Sequence, residues 1–523
     1  MINANRYFGR APACAVLLAA AWPAFLAAAP LRESPISGAH HPGCEAVDAH
    51  ACVALAMQAI GGQAKLSAIA NERLDVIGHT LLTEQSYRQA PFITAYTRAK
   101  KNVDFLKRRQ NTAVDAVWPE SDPDTASAES SYTVVANEQG AVTRADGGDT
   151  PGSLTDIDDA RATLALGPER LLLTAVAAPD LHFEAAEMLR STPHTVVAFL
   201  WDGQPVKVMI NAFNHLPDAT ETTRSFNDFW FVWGDVRQRV FYDNWKVIYS
   251  VVYPTNRVEE RNGVLWSSSQ ILDAKFNLPQ DEKLFAMDPV ASEKSARSKG
   301  WNRAFDDSHR VSLAPGIDLY RGSWNVTLIK QDDGVLVLEA PISPTFTAGA
   351  LAKARRAYPS SPIKAVLSTS DSWPHVAGLR EAVAESLPVY ILDLNQPLLD
   401  RMIVARHSQR PDRLQTSPRP ARWIIVSGQR QIGAGPNRVV LYPLRGAATE
   451  RQYMVYFPER RVLYASDTLS IDPDKHTLYD PELMREVVAA VEREHLKVDT
   501  VYAMHEGPTP WRDVTRLVAA AVQ

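Results

Sequence analysis

The chain has no surplus of positive charge: 55 lysines and arginines face 60 aspartates and glutamates, for a net charge of −5. That balance excludes the broad basic field on which nucleic-acid binding depends. No basic stretch interleaved with aromatics appears either, so nucleic acid is not an expected partner. Cysteine is scarce, with three residues in 523, which excludes a disulfide-dense scaffold. Beyond the N-terminus no apolar run approaches the ~20 residues that a membrane-spanning helix needs. No internal repeat of solenoid period is visible. What remains is an ordinary globular composition, 46% hydrophobic and 22% charged. A single core cannot serve this length, and two domains, or three, are expected.

The one long apolar run, Ala11 to Ala29, follows Arg6 and Arg10 and ends in Ala27, Ala28 and Ala29 before Pro30. This is the layout of a cleaved secretory signal over residues 1–29, the alternative being a retained anchor. A periplasmic or secreted protein is expected, with no stable membrane span after cleavage. Cys14 falls inside the signal, leaving Cys44 and Cys52 as an even pair in an oxidising compartment. A short-loop disulfide is the simplest account, with two free thiols as the alternative. Zinc binding by this pair with His50 lacks a fourth ligand at ordinary spacing.

Residues 30–52 read as a leader carrying both cysteines, Pro/Gly/His-rich and flexible as far as residue 43. A helix is expected over 53–70, interrupted by Gly61-Gly62. From Arg73 to Asn277 strand signals dominate, giving a β-rich domain over 53–290. The clearest is a hairpin, Thr195–Trp201 and Val206–Asn211 around Asp202-Gly203. Further strands are expected at Val236–Tyr242, Trp245–Tyr253 and Leu265–Phe276. The acidic, Ser/Gly/Pro-rich stretch from Pro119 to Asp159 reads as exposed loops, and Asp288 to Gly300 as a linker. The run FWFVWGDVRQRVFYDNWKVIYSVVYP resembles the curved antiparallel sheet of lipoprotein-carrier half-barrels. Trp230, Trp233, Trp245 and Tyr253 then either line a lipophilic groove or fill a core.

The last 210 residues or so carry a more specific pattern. Two strands flank the turn Asp332-Asp333-Gly334, and Glu339 ends the second. A helix at 349–357 and a strand at 363–368 precede the segment TSDSWPHVAGL. With the later run to Asp467, the helix opening at Asp480-Pro481 and the strand ending in Met504-His505-Glu506-Gly507, this order resembles the metallo-β-lactamase superfamily. The resemblance implies an α+β protein whose residues 300–523 form an αββα sandwich. In active family members the loop reads T-H-x-H-x-D-H-x-x-G-L. Here Thr369, Trp373, His375, Gly378 and Leu379 keep the frame, while Ser370 and Ser372 replace two histidines and Pro374 replaces the aspartate. Thr449 aligns the third region, which puts Ala448 in place of another histidine. Asp467 stands at the bridging position and His505 at the last histidine.

Zinc is held by imidazole, thiolate or carboxylate donors, which serine and alanine do not supply. One metal position of the family is therefore emptied of ligands. The other keeps His375, Asp467 and His505, three donors that suffice for one ion with an open position. Two readings of equal standing follow for cofactors: one zinc or other divalent ion, or none. The first functional reading is an exported, non-classical or inactive hydrolase homologue that binds a small or lipophilic molecule. The second is a single-metal hydrolase of an ester, lactone or amide. Serine catalysis by Ser370 or Ser372 with His375 has little support, because no glycine-flanked elbow presents either hydroxyl. His407 and His476 read as surface residues.

Overall fold

The computed structural model describes residues 40–84, 92–117, 129–146 and 148–521; the expected signal over 1–29 lies outside them. Residues 71–276 build one antiparallel sheet of thirteen strands. Its edges are Gly148–Pro151 and His182–Leu189, and two meanders meet where Asn71–Leu82 pairs with Val264–Phe276. The hairpin forms around Asp202-Gly203, whose φ values of 50° and 71° suit a primed two-residue turn. Strand boundaries near 243–253 need correction. The chain runs unbroken from Val236 to Ile248, with Asn244 taking φ 53° without a change of register. The turn falls instead at Tyr249-Ser250, both at positive φ, inside the stretch expected as strand.

Three other expectations are corrected by packing. The polar stretch to Asp159 contributes the strands Glu129–Asn137, Ala141–Ala145 and Gly148–Pro151, then the start of a helix, Leu154–Leu166. A reciprocal Ser153/Asp156 capping box opens that helix, so residues that looked like loop formers are helix starters. The linker at 288–300 contains the helix Pro289–Ala296, capped by Asp288, with Ala291 and Ser295 buried against the sheet. The leader ends earlier than residue 52. Asp48 caps a helix, Ala49–Ala59, and Cys44 and Cys52, joined by a disulfide with Cα atoms 5.6 Å apart, lie in the core. A second short helix, Gln63–Ser67, follows the Gly61-Gly62 break.

Residues 310–520 form two sheets facing each other. The first has seven strands, Arg310–Ala314 through Arg422–Val426, the last four parallel. The second has six, Arg430–Ile432 through Thr509–Pro510. Leu336, Leu338, Leu367, Tyr453, Phe457 and Tyr502 fill the space between them. The helices Pro344–Ala357, Leu379–Ala384 and Gln396–Val404 cover the first sheet, and Pro481–Arg493 and Trp511–Ala520 the second. This is an αββα sandwich. Strands buried on both faces read as continuous apolar runs rather than alternations, as Gly334–Leu338 does.

The two halves share a core. A 3-10 turn, Phe229–Trp233, sets Trp230 and Trp233 edge-on to Trp373, at 4.9 and 5.4 Å between centroids. These two tryptophans are therefore neither on the sheet nor in a groove of it. Trp245 packs at the edge of the N-terminal core, and Tyr253 lines a cavity in the sheet. Among the described residues no helix is long and apolar enough to cross a membrane.

Candidate functional site

Each of the three donors kept from the family pattern follows the C-terminal end of a strand. The strand Ile363–Leu367 runs into the loop 368–372 and a one-turn helix, Trp373–Val376, with Pro374 in its first turn. Pro374 thus fills a place that suits proline's fixed φ and missing N–H, and His375 follows it. The strand Val462–Tyr464 passes through Ser466, at φ 59°, to Asp467. The strand Thr500–Tyr502 leads to His505.

These three side chains meet. His375 Nε2 lies 3.2 Å from Asp467 Oδ2, and His505 Nε2 lies 3.2 Å from Asp467 Oδ1. Their possible ligand atoms all fall within 4.8 Å of one another. The imidazoles cross edge-to-face at 5.4 Å, and Trp324 stands against His505 at 5.6 Å. Burial pushes the His375 pKa down to about 4 despite the carboxylate beside it, so this ring is neutral at pH 7. Burial alone would lower His505 as well, but the Asp467 carboxylate more than offsets it and holds this ring above its ordinary value. Asp467 is held below the usual carboxylate range by both rings against the opposing effect of burial. His505 donates from Nδ1 to the Ser323 carbonyl at 2.6 Å, which fixes its tautomer and leaves Nε2 to face Asp467.

The remaining family positions do not assemble a second site. Ser370 Oγ accepts from the Ser372 backbone N–H at 3.1 Å, and both serines are buried. Among the described residues no hydrogen bond joins either hydroxyl to His375, so no serine triad forms. The Ala448 N–H donates to Glu486 at 3.1 Å, and Thr449 Oγ1 donates to the same carboxylate at 2.6 Å. A carboxylate from the Pro481–Arg493 helix thus ties down this loop; only its place on the face of a strongly amphipathic helix could have signalled it.

Two buried acids underlie the loop. Glu339, at φ 74° and fully buried, accepts from the Thr369 backbone N–H and the Tyr464 hydroxyl, each at 3.2 Å, and from the Thr369 hydroxyl. Burial pushes its pKa up to about 8 despite these donors. Asp371, 3.5 Å from Arg451, is likewise pushed by burial to about 8 although the guanidinium opposes the shift. His407 is not a surface residue: its ring packs against the Gly234 backbone and is largely buried, with burial lowering its pKa to about 4. His476 stays in an exposed turn.

The donor set suits one divalent ion of the zinc class: two imidazoles and a carboxylate, from three loops, with one ring oriented by a backbone carbonyl. It does not suit two ions.

No family model matches the sequence, and no curated protein is significantly similar to it. Solved structures are similar over part of the chain. A metallo-β-lactamase from Hirschia baltica is 14% identical, with a TM-score of 0.32, covering 42% of this chain and 97% of its own. The stereoselective inverting sec-alkylsulfatase Pisa1 from Pseudomonas sp. is 16% identical, with a TM-score of 0.30, covering 40% of each chain. A LolA superfamily protein from Nitrosomonas europaea is 12% identical, with a TM-score of 0.31, covering 46% of this chain and 98% of its own. By its own layer order and strand connections, the C-terminal half has the αββα fold of the metallo-β-lactamase superfamily.

Proposed function

We propose that this is an exported, hydrolase-like protein that holds a single divalent ion between His375, Asp467 and His505 and cleaves a small ester, lactone or amide. The observation carrying this reading is the convergence of three donors from three separate loops within 4.8 Å. Asp467 is ionised, His375 is neutral, and the Nδ1–H of His505 is committed to a carbonyl. For Asp467 and His375 this is the state a ligand must adopt to bind metal, and His505 would give up the Nε2 proton it shares with Asp467. An ion of this class, held by His375, Asp467 and His505, would supply Lewis acidity there. The chain orients the donors, and Trp324, stacked edge-on to His505 and to Trp301, gives the site an apolar wall. Export is supported by the N-terminal segment and by the Cys44–Cys52 bridge, which belongs in an oxidising compartment.

A second reading, a metal-free scaffold that binds a small molecule without cleaving it, is favoured by one feature: each Asp467 oxygen already faces an imidazole at 3.2 Å. Elemental analysis of protein purified without a metal-affinity tag separates the two. Near-stoichiometric zinc, iron or manganese, lost in Asp467→Ala together with turnover on a panel of esters, lactones and amides, is the expected result. Absence of metal and of turnover in the unaltered protein leaves the scaffold reading.

A further inference from the structure

The N-terminal sheet curves around a cavity of about 470 Å³. It is closed on one side by the Leu154–Leu166 helix, which presents Asp156, Asp159, Thr163 and Leu166 to it at helical spacing. The opposite walls are alternate residues of neighbouring strands, such as Tyr253, Arg257, Glu259 and Arg261 on one and Glu72, Leu74 and Val76 on another. That period of two puts them all on the concave face.

The charges on this face decide what fits. Arg261 is committed, 2.5 Å from Asp228 and 2.8 Å from Glu259, and Glu259 also accepts from Gln238 at 2.6 Å. Asp156 is committed to the capping box with Ser153. Glu72 and Glu169, both almost fully buried, share the Tyr253 hydroxyl at 3.3 Å each. Three cations are left over. Lys101 donates to the Thr163 hydroxyl at 2.7 Å and, among the described residues, has no ion-pair partner within 4.0 Å. Arg257 and Arg224 have no ion-pair partner within 4.0 Å among the described residues; they lie against the rings of Tyr242 and Phe226 respectively. Asp159 is the one lining carboxylate without a short-range partner of this kind. An acyl chain in this space would strip water from three cations whose carboxylate neighbours, Asp159 among them, act only at longer range, and that desolvation opposes what its own burial returns. An anionic group would instead replace that water with charge-assisted hydrogen bonds.

We propose that this cavity binds a small organic anion, a carboxylate or phosphate ester whose charged group sits between Lys101 and Arg257 and whose body rests on Val240, Ile271 and Trp266. The site is separate from the His375–Asp467–His505 cluster and does not depend on how that cluster is read. Burial and the adjacent Glu169 raise Glu72 to about 8, burial raises Glu169, and burial lowers Lys101 as well, so a bound anion would be what holds the Lys101 charge in place.

Calorimetric titration of the full-length protein tests this, with phenyl phosphate, benzoate and inorganic phosphate as anionic probes, and benzyl alcohol and octanol as uncharged ones. Phenyl phosphate or benzoate is expected to bind saturably at one site, at least tenfold more tightly than benzyl alcohol. Arg257→Met and Lys101→Met are each expected to weaken that binding tenfold or more, and Asp467→Ala to leave it unchanged. Should Arg257→Met fail to fold, Arg224→Met and the salt dependence of the wild type give the same reading, since tenfold more salt must weaken the anions and spare benzyl alcohol. Three results would each overturn the proposal: no binding of any anion, binding indifferent to all three cations, or octanol binding more tightly than the anions. Loss of binding in Asp467→Ala alone would place the anion at the other site and equally overturn it.

Discussion

Glu339 couples the site loop to pH in a way that can be measured. Its carboxyl accepts three hydrogen bonds at the end of Gly334–Leu338, yet it is fully buried and titrates near 8 rather than at the ordinary 4.5. Between those values the unfolded chain has lost a proton that the folded chain keeps. Stability is therefore full below about 4.5 and falls as pH rises through 8. At about 1.4 kcal/mol per pH unit, the loss between pH 5 and pH 8 comes to roughly 3–4 kcal/mol. In Glu339→Gln the group cannot ionise, and this part of the pH dependence disappears. Its amide keeps the accepting oxygen but buries an N–H where Oε2 has no partner, a cost of about 1 kcal/mol or somewhat more at pH 5. Urea unfolding of both proteins at pH 5 and pH 8 reads the difference: glutamine slightly destabilises at pH 5 and stabilises at pH 8. Parallel pH dependence in the two proteins would refute the claim that Glu339 is protonated in the fold.

Packing makes three further predictions. In Gly378→Ala the new Cβ would lie 1.9 Å from Thr347 Oγ1 and 2.8 Å from the carbonyls of Ala340 and Ser343. Backbone must move, and a loss of about 3 kcal/mol or more is expected in urea unfolding, against near-neutrality if the loop is loose. Trp373→Ala empties the contact with Trp230 and Trp233; a cost of about 3–5 kcal/mol and faster proteolysis between the halves are expected. Replacing Cys44 and Cys52 together by serine opens a short loop and exchanges two buried sulfurs for hydroxyls. About 2–3 kcal/mol of stability should go with it, and dithiothreitol should reproduce most of the loss in the unaltered protein.

Local signals were legible where the local sequence decides the structure. Asp202-Gly203 forms its hairpin because both residues accept positive φ. The frame of Thr369, Gly378 and Leu379 is readable because the glycine is a place with no room for a Cβ. Misreadings arose where polar composition hid a packed element. Asp288-Pro289 and Ser153 with Asp156 look like loop, yet each opens a helix whose buried face is set by the sheet beneath it.

The sequence alone determined which donors exist: hydroxyl, methyl and pyrrolidine groups at Ser370, Ser372, Ala448 and Pro374, imidazole and carboxylate at His375, His505 and Asp467. Only the tertiary structure decided that His375, Asp467 and His505 touch, because residues distant in sequence are brought together by strands of two different sheets. It alone decided that burial raises Glu339 and Asp371 to about 8, and that the N-terminal cavity is walled with charge as well as with aromatics. Ionisation and cavity chemistry follow from desolvation and from the charges within a few ångströms, and neither is a property of neighbours along the chain.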